Sequence, residues 1–404
     1  MRLGYVVPEF PSQTHAFFWR EIEALRAQGV EVQLISTRRP PAAACRHEFA
    51  PAAIRETFYL FPPGARVLRA LPGPARVRAT RRYFAALTPE KGAAALRRYA
   101  LLLPALSLAE YARRQRLDHV HVHSCADAAH VAALCHQLGG PSFSLTLHGD
   151  LSVYGRDHQI KMQQASFVAA VGSHLLQQVV DQARVPKERV HVSCMGVDLT
   201  RLVDLGGDRS VVAGKLHIVT VARLNAMKGH VHALAAVRRA VDAGLDVHYT
   251  IAGEGENRAT IEARIRALGL ERRVTLAGTL SEGEVFALLG RADAFVLPSV
   301  GAGEAWPVSV MEAMGGGLPV VSSIIGATPE MITSGTDGIL VAQGDESALA
   351  DALIHLARDV DARRSLGAEG RVTAQRRFDV RVTAGRLADE VRAAVSTASS
   401  ARSA

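Results

Sequence analysis

Along most of the 404-residue chain, short runs rich in β-branched residues alternate with stretches whose apolar positions recur at helical spacing. After an opening strand and loop in MRLGYVVPEFPSQTH come VEVQLIST (30–37), DHVHVHS (118–124), FSLTLHG (143–149), SFVAAVGS (166–173) and RVHVSCMG (189–196). A second set follows: LHIVTVAR (216–223), VHYTIAG (247–253), RVTLAG (273–278), DAFVLPS (293–299) and LPVVSS (318–323). Near-continuous apolar strands separated by amphipathic helices predict βαβ units and parallel sheets covered on both faces. Ser281-Glu282-Gly283-Glu284 ahead of VFALLG predicts a capped helix start. The glycine- and charge-rich stretch 202–215 reads as a linker. The pattern therefore predicts two doubly wound, Rossmann-like α/β domains, 1–202 and 203–378. A last helix within 379–404 packs back on the first domain and ends in a frayed tail. Ligands of such sheets lie beyond the carboxyl ends of strands, and here in the cleft between the domains.

Composition narrows the class. Hydrophobic residues make up 48% of the chain, enough for two cores. The longest apolar run, Tyr99–Ala109, contains Pro104 and is about half of what spans a bilayer. Cys45, Cys125, Cys135 and Cys194 form no CxxC pair, which fits a reduced, cytoplasmic setting. The net charge of +8 is concentrated: residues 66–116 hold twelve Arg or Lys against Glu90 and Glu110. With leucines and alanines interleaved, this segment is either a solvated arginine-rich helical face or a contact for an anionic membrane surface. It lacks a nucleic-acid recognition module, so nucleic acid is not an expected partner.

Two phosphate signatures fail. Residues 206–216 have the wrong glycine spacing for a P-loop, and Ala252–Ala259 has Gly253 and Gly255 but no third glycine. The latter is better read as a strand-end turn that lets a ligand approach the backbone. His119, His121 and His123 share one strand face, with Asp127 and His130 nearby. A metal site is conceivable there, yet further ligands are missing, and no metal is expected.

Stronger chemistry lies in the second half. VARLNAMKGH (221–230) places Arg223 and Lys228 at a strand's carboxyl end, where two cations suit a diphosphate or form a surface pair. In GEAWPVSVMEAMGGGLPVVSS (303–323), Pro307 fits the first position of a helix, with Glu304 just before it and Glu312 on its second turn. Free N–H groups at that helix mouth attract an anion. Carboxylates bind hydroxyls, which flank the diphosphate of a nucleotide sugar. The alternatives are that Glu304 serves only the helix dipole and that Glu312 pairs with an arginine.

These residues resemble retaining glycosyltransferase family 4. The Glu304–Glu312 spacing matches its Glu-x7-Glu motif, and EAMGGGLPVVSSIIGATPEMI, VARLNAMKGH, AGEGE and HVSCMGVDL match its other landmarks. GYVVPEFPSQTHAFFWREIEAL is similar to the colanic-acid, exopolysaccharide branch. The resemblance implies the GT-B fold, in which the two domains face a cleft, and hexosyl transfer with retention from a nucleoside diphosphate sugar. A UDP-sugar is favoured over a GDP-sugar, and a saccharide or lipid-linked hydroxyl is the acceptor. No cofactor is implied, and the setting is the cytoplasm or the inner face of the cell membrane.

By position, Arg223 and Lys228 would bind the diphosphate, Glu304 the donor sugar and Glu312 the ribose. The backbone of Ala305, Trp306, Pro307 and Val308 would meet phosphate or sugar. Gly253 and Gly255 would border the donor, and Gly278, Thr279 and Leu280 would lie near the base. His148 would approach the sugar beside Asp150, and the loop with Ser12, Gln13, Thr14 and His15 would close over the donor. Same-face attack, with the leaving phosphate taking the acceptor proton, is the expected mechanism. The chain departs from the family at Ala305-Trp306-Pro307, where glycines are usual, and in the N-terminal loop, which lacks a double glycine. Two rival readings are tailoring of a small secondary metabolite and non-catalytic binding of a sugar nucleotide.

Overall fold

A computed structural model describes residues 1–41, 45–64, 67, 73–202, 212–301 and 304–403. The chain divides into two compact units. The first comprises Met1–Cys194 with the C-terminal helix from Thr383 onward, and the second comprises Met195–Val382. The proposed linker falls largely on 203–211, outside the described residues.

The first unit is built on seven strands: β1 (Arg2–Val6), β2 (Glu31–Arg38), β3 (Phe58–Phe61), β4 (His119–Val122), β5 (Ser142–Leu147), β6 (Val168–Ala170) and β7 (Val190–Val192). Their order is β3-β2-β1-β4-β5-β6-β7, and every pairing is parallel. The second unit holds β8 (Lys215–Val221), β9 (Asp246–Ala252), β10 (Val274–Gly278), β11 (Ala294–Leu297), β12 (Val320–Ser323) and β13 (Ile339–Val341). Their order is β10-β9-β8-β11-β12-β13, again all parallel.

Burial explains the pattern. β4, β5, β11 and β12 are buried at every position, as central parallel strands must be. Helices cover both faces, and each unit has its own apolar core, around Val120, Phe143 and Leu145 in one and Ile218, Tyr249 and Val296 in the other. Ser281 caps the Glu282–Arg291 helix, with reciprocal bonds to Glu284, as the capping box predicts. Two edge strands escape the hydrophobic pattern, β3 and β13. FYLF and ILV are too short to stand out against flanking helical sequence.

In each sheet the chain winds outward from one central strand and then returns to its other side. The reversal lies between β1 and β4 in the first unit and between β8 and β11 in the second. Loops leaving the two central strands diverge there and open a crevice at their carboxyl ends. Among the described residues no helix is long and apolar enough to cross a membrane.

Candidate active site

In the second unit the crevice is made by the loops after β8 and β11. Asn225 accepts from the Lys228 N–H at 3.2 Å and shapes a single helical turn, Ala226–Lys228. Gly229 follows at φ 65°, where a Cβ would lie 1.8 Å from the Pro298 carbonyl oxygen. Only glycine lets the two loops approach this closely. The approach brings Lys228 to Glu304: Lys228 Nζ donates to Glu304 Oε2, and Ser299 Oγ donates to the same oxygen at 2.8 Å. The two side chains are 19% and 10% exposed, so the pair is shielded but reachable. Glu304 Oε1 accepts from no group among the described residues.

The backbone around Glu304 is equally constrained. Gly326, at φ 53°, leaves no room for a Cβ, which would fall 1.7 Å from the Glu304 carbonyl oxygen. The Ala327 N–H donates to the Ala305 carbonyl at 3.1 Å. Trp306 turns inward, its Nε1 donating to Met311 Sδ at 3.0 Å and its ring edge-on to Phe378. Ala305, Trp306 and Pro307 are all buried. Pro307 is the residue before the helix and not its first residue, because its ψ of 111° is extended; the helix runs Val308–Gly315. The Pro307 carbonyl already accepts from Val310 and Met311. The N–H groups of Val308 and Ser309 bond no described residue, so they are the free donors at this mouth. Glu312 is buried on the second turn.

Beside this pair, the ends of β8, β9 and β10 are laced together. Ala222 and Leu224 donate to the carbonyls of Ala252 and Glu254, and Gly253 donates to Gly278. Cβ atoms at Gly253 and Gly255 would lie 1.9 Å and 2.3 Å from the Ala222 and Leu224 carbonyl oxygens. The glycine turn therefore packs on the backbone on either side of Arg223. Arg223 itself is exposed, and its guanidinium has no ion-pair partner among the described residues. Its carbonyl accepts from the buried His230 ring at 3.0 Å. Gly278 sits at φ 70° beside Glu254, while Thr279 and Leu280 are half-buried next to it.

In the first unit the equivalent crevice is lined by imidazoles. His148 follows β5; its Nε2 meets His123 Nδ1 at 3.1 Å, and its Nδ1 is buried without a partner. Phe17 and Phe18 pack against the His148 ring, and burial holds it at a pKa of about 3. His15 is likewise held at about 4, with its Nδ1 unpartnered. Gln13 is tied to His47 and to the Arg46 N–H, Ser12 accepts from the His15 N–H, and Thr14 is exposed. Asp150 accepts from Gln178 Nε2 at 2.7 Å, so its carboxylate serves the loop's own structure. The other histidines of the β4 face spend both nitrogens on hydroxyls: His119 on Ser142 and Ser144, His121 on Ser144 and Thr146. Among the described residues no group of three or more His, Cys, Asp or Glu converges as metal ligands.

The structure thus joins Lys228 to Glu304 and puts Gly253 and Gly255 under Arg223. Ser299, Asn225 and Gly326 are site residues that sequence reasoning passes over. Ser299 ends a strand-like LPS and looks like a turn residue. Asn225 carried a legible signal, an Asn three residues before Lys228.

Known proteins agree with this architecture. The chain matches the model of glycosyl transferases group 1 over residues 209–373 and that of glycosyltransferase family 4 over 16–201. It is 38% identical over 179 residues to a Salmonella typhimurium protein assigned to colanic acid biosynthesis as a glycosyltransferase, covering 43% of each chain. That match spans less than half of the relative's length. A glycosyltransferase structure from Rickettsia africae superposes with a TM-score of 0.74 at 16% identity, over 98% of both chains. An Anabaena protein solved with UDP-glucose superposes with a TM-score of 0.71 at 18% identity, over 97% of this chain and 100% of that one. With a family 4 model across its first half, a group 1 model across its second and this fold in both units, the chain belongs to glycosyltransferase family 4, of GT-B fold.

Proposed function

We propose that the protein transfers a hexosyl group from a nucleoside diphosphate sugar to a hydroxyl of a growing exopolysaccharide or lipid-linked saccharide, with retention. The observation that carries this reading is the cluster of Lys228, Ser299 and Glu304 at the β8/β11 crevice. Lys228 has three N–H donors and spends one on Glu304, which leaves two for phosphate oxygens. Arg223 adds a free planar fork, and the Val308 and Ser309 N–H groups add two neutral donors. Together they would stabilise charge on the leaving diphosphate without a metal. Glu304 Oε1 is free to accept from a sugar hydroxyl, and Glu312 would hold the ribose. His148 would contact the donor sugar. The leaving phosphate would take the acceptor's proton as attack occurs on the same face.

A UDP-sugar is the favoured donor, supported by the Anabaena structure's ligand; a GDP-sugar is the alternative. The test is a binding screen of UDP, GDP, ADP and TDP sugars, followed by turnover and NMR of the product's anomeric configuration. Glu304→Ala is expected to lower turnover at least about 100-fold while nucleotide affinity changes little. Equal loss of both, or of neither, would refute the role given to Glu304. Binding without nucleoside diphosphate release, across saccharide and small-metabolite acceptors, would favour a non-catalytic binder. Activity that survives chelation would support metal independence.

The basic segment supports an anionic membrane surface near the acceptor. On the helices Pro74–Ala86 and Gly92–Ala100, Arg76, Arg78, Arg81, Arg82 and Arg97 are exposed. Val77, Leu96, Tyr99 and Leu103 are exposed beside them, and cations mixed with apolar side chains suit an acidic lipid interface. Residues 65–66 and 68–72 of this segment lie outside the described residues. Sedimentation with anionic vesicles, abolished when these charges are reversed, is the expected result.

A further inference from the structure

In the first unit a line of polar groups runs from the sheet to the crevice. The Tyr5 hydroxyl on β1 donates to Glu21 Oε1 at 2.7 Å. The same oxygen lies 3.3 Å from His123 Nε2, which has no hydrogen-bond partner among the described residues. His123 Nδ1 meets His148 Nε2 at 3.1 Å, and the line ends at the buried, unpartnered His148 Nδ1. The two imidazoles stack, with Phe18 edge-on to both, so the packing opposes rotation of either ring.

Burial keeps both rings neutral, each with one N–H. Only one of the two facing nitrogens can carry hydrogen. Glu21 decides which. A bare lone pair 3.3 Å from a carboxylate oxygen is repelled, whereas an N–H is attracted. The His123 proton therefore sits on Nε2, its Nδ1 accepts from His148 Nε2–H, and His148 Nδ1 is left bare. We infer that Glu21 and His123 are positioning residues that fix His148 as a hydrogen-bond acceptor, so that the crevice takes a neutral sugar bearing a hydroxyl at this point and repels a uronate carboxylate. The nature of the ligand rests on the transferase reading; the tautomer does not.

Protonating Glu21 would let its carboxyl donate to His123 Nε2 and reverse the bond between His123 and His148, while the Tyr5 hydroxyl still donates to Glu21. Burial raises the Glu21 pKa to about 7, opposed by the Tyr5 hydrogen bond. The titratable groups facing Glu21 are Tyr5 on β1 and His123 beyond β4. His148 beyond β5 and His15 at the helix start complete the cluster, and both stay neutral down to about pH 4.

The test is nitrogen NMR of the full chain labelled in histidine, with His148 assigned by the signals lost in His148→Gln. At pH 8 the expected spectrum has hydrogen on His148 Nε2 and none on Nδ1. The hydrogen should move to Nδ1 in Glu21→Leu, and in the unmodified protein as pH falls to about 6. A protonated Nδ1 at pH 8 overturns the inference, as does a tautomer indifferent to both changes. Should Glu21→Leu fail to fold, the pH series on the unmodified protein decides alone. Binding of UDP-glucose and UDP-glucuronate forms the second arm, with the neutral sugar expected to bind roughly tenfold better at pH 8. The expected tautomer without that preference would refute the sugar contact and leave the relay standing.

Discussion

The two units share one topology and place opposite chemistry at the same point of it. At the β1/β4 crevice stand neutral imidazoles and phenyl rings, held uncharged by burial. At the β8/β11 crevice stand Lys228, Glu304 and a free Arg223, with two helix N–H groups beside them. Winding order fixes where a crevice opens; side chains decide whether it receives hydroxyls or anions.

The sharpest way to break this contrast is Lys228→Ala. It should lower turnover by about 10²–10³-fold, the usual cost of removing one charged transition-state contact. Thermal melting should move little, since Ser299 still holds Glu304. A loss under tenfold would remove the second crevice from the chemistry.

Acid should separate the units next. In the first unit His119 and His148 are held at about 3 and His15 and His130 at about 4. An unfolded chain takes up those protons near pH 6.5, which the folded unit refuses. Stability is thus fully present above about pH 6.5 and is lost as pH falls toward 4. Glu21, raised to about 7, acts in the opposite sense but is a single group. Among the histidines described in the second unit, those held low are His230 and the more exposed His248. Hydrogen exchange at pH 5 should show protection in the first unit falling by at least about 3 kcal/mol relative to pH 7.5, with the second unit nearly unchanged. Equal loss in both units would break the comparison.

Smaller effects test the frame of the charged crevice. Gly253→Ala puts a Cβ against the Ala222 carbonyl at an unfavourable φ of 148°. It should cost roughly 2–3 kcal/mol, read as a lowered melting temperature confined to the second unit. Trp306→Phe gives up the bond to Met311 and some ring area, about 1 kcal/mol. It should leave donor preference unchanged, because the indole faces the core. A switch in donor would show that Trp306 acts on the ligand after all.

Much of this is legible in the sequence. Period and β-branching mark the central strands, and charge at strand ends marks Arg223, Lys228 and Glu304. What escapes is decided by distance in space. Glu21 looks like an ordinary acid on an amphipathic helix until Tyr5 and His123 enclose it. Ser299 acquires a role only because Gly229 and Gly326 let three loops converge. Trp306 could face ligand or core, and only Met311 and Phe378 settle which. Pro307 sits one residue outside the helix because its ψ stays extended.

The Lys228–Glu304 contact has one more consequence. The contact matches a shielded cation of the crevice with an anion, so a small free phosphate meets little uncompensated charge from that pair. A ligand gains most when it supplies an anion for Lys228 and a hydroxyl for Glu304 together. Discrimination against the abundant inorganic phosphate of a cell would then be built into the ion pair itself.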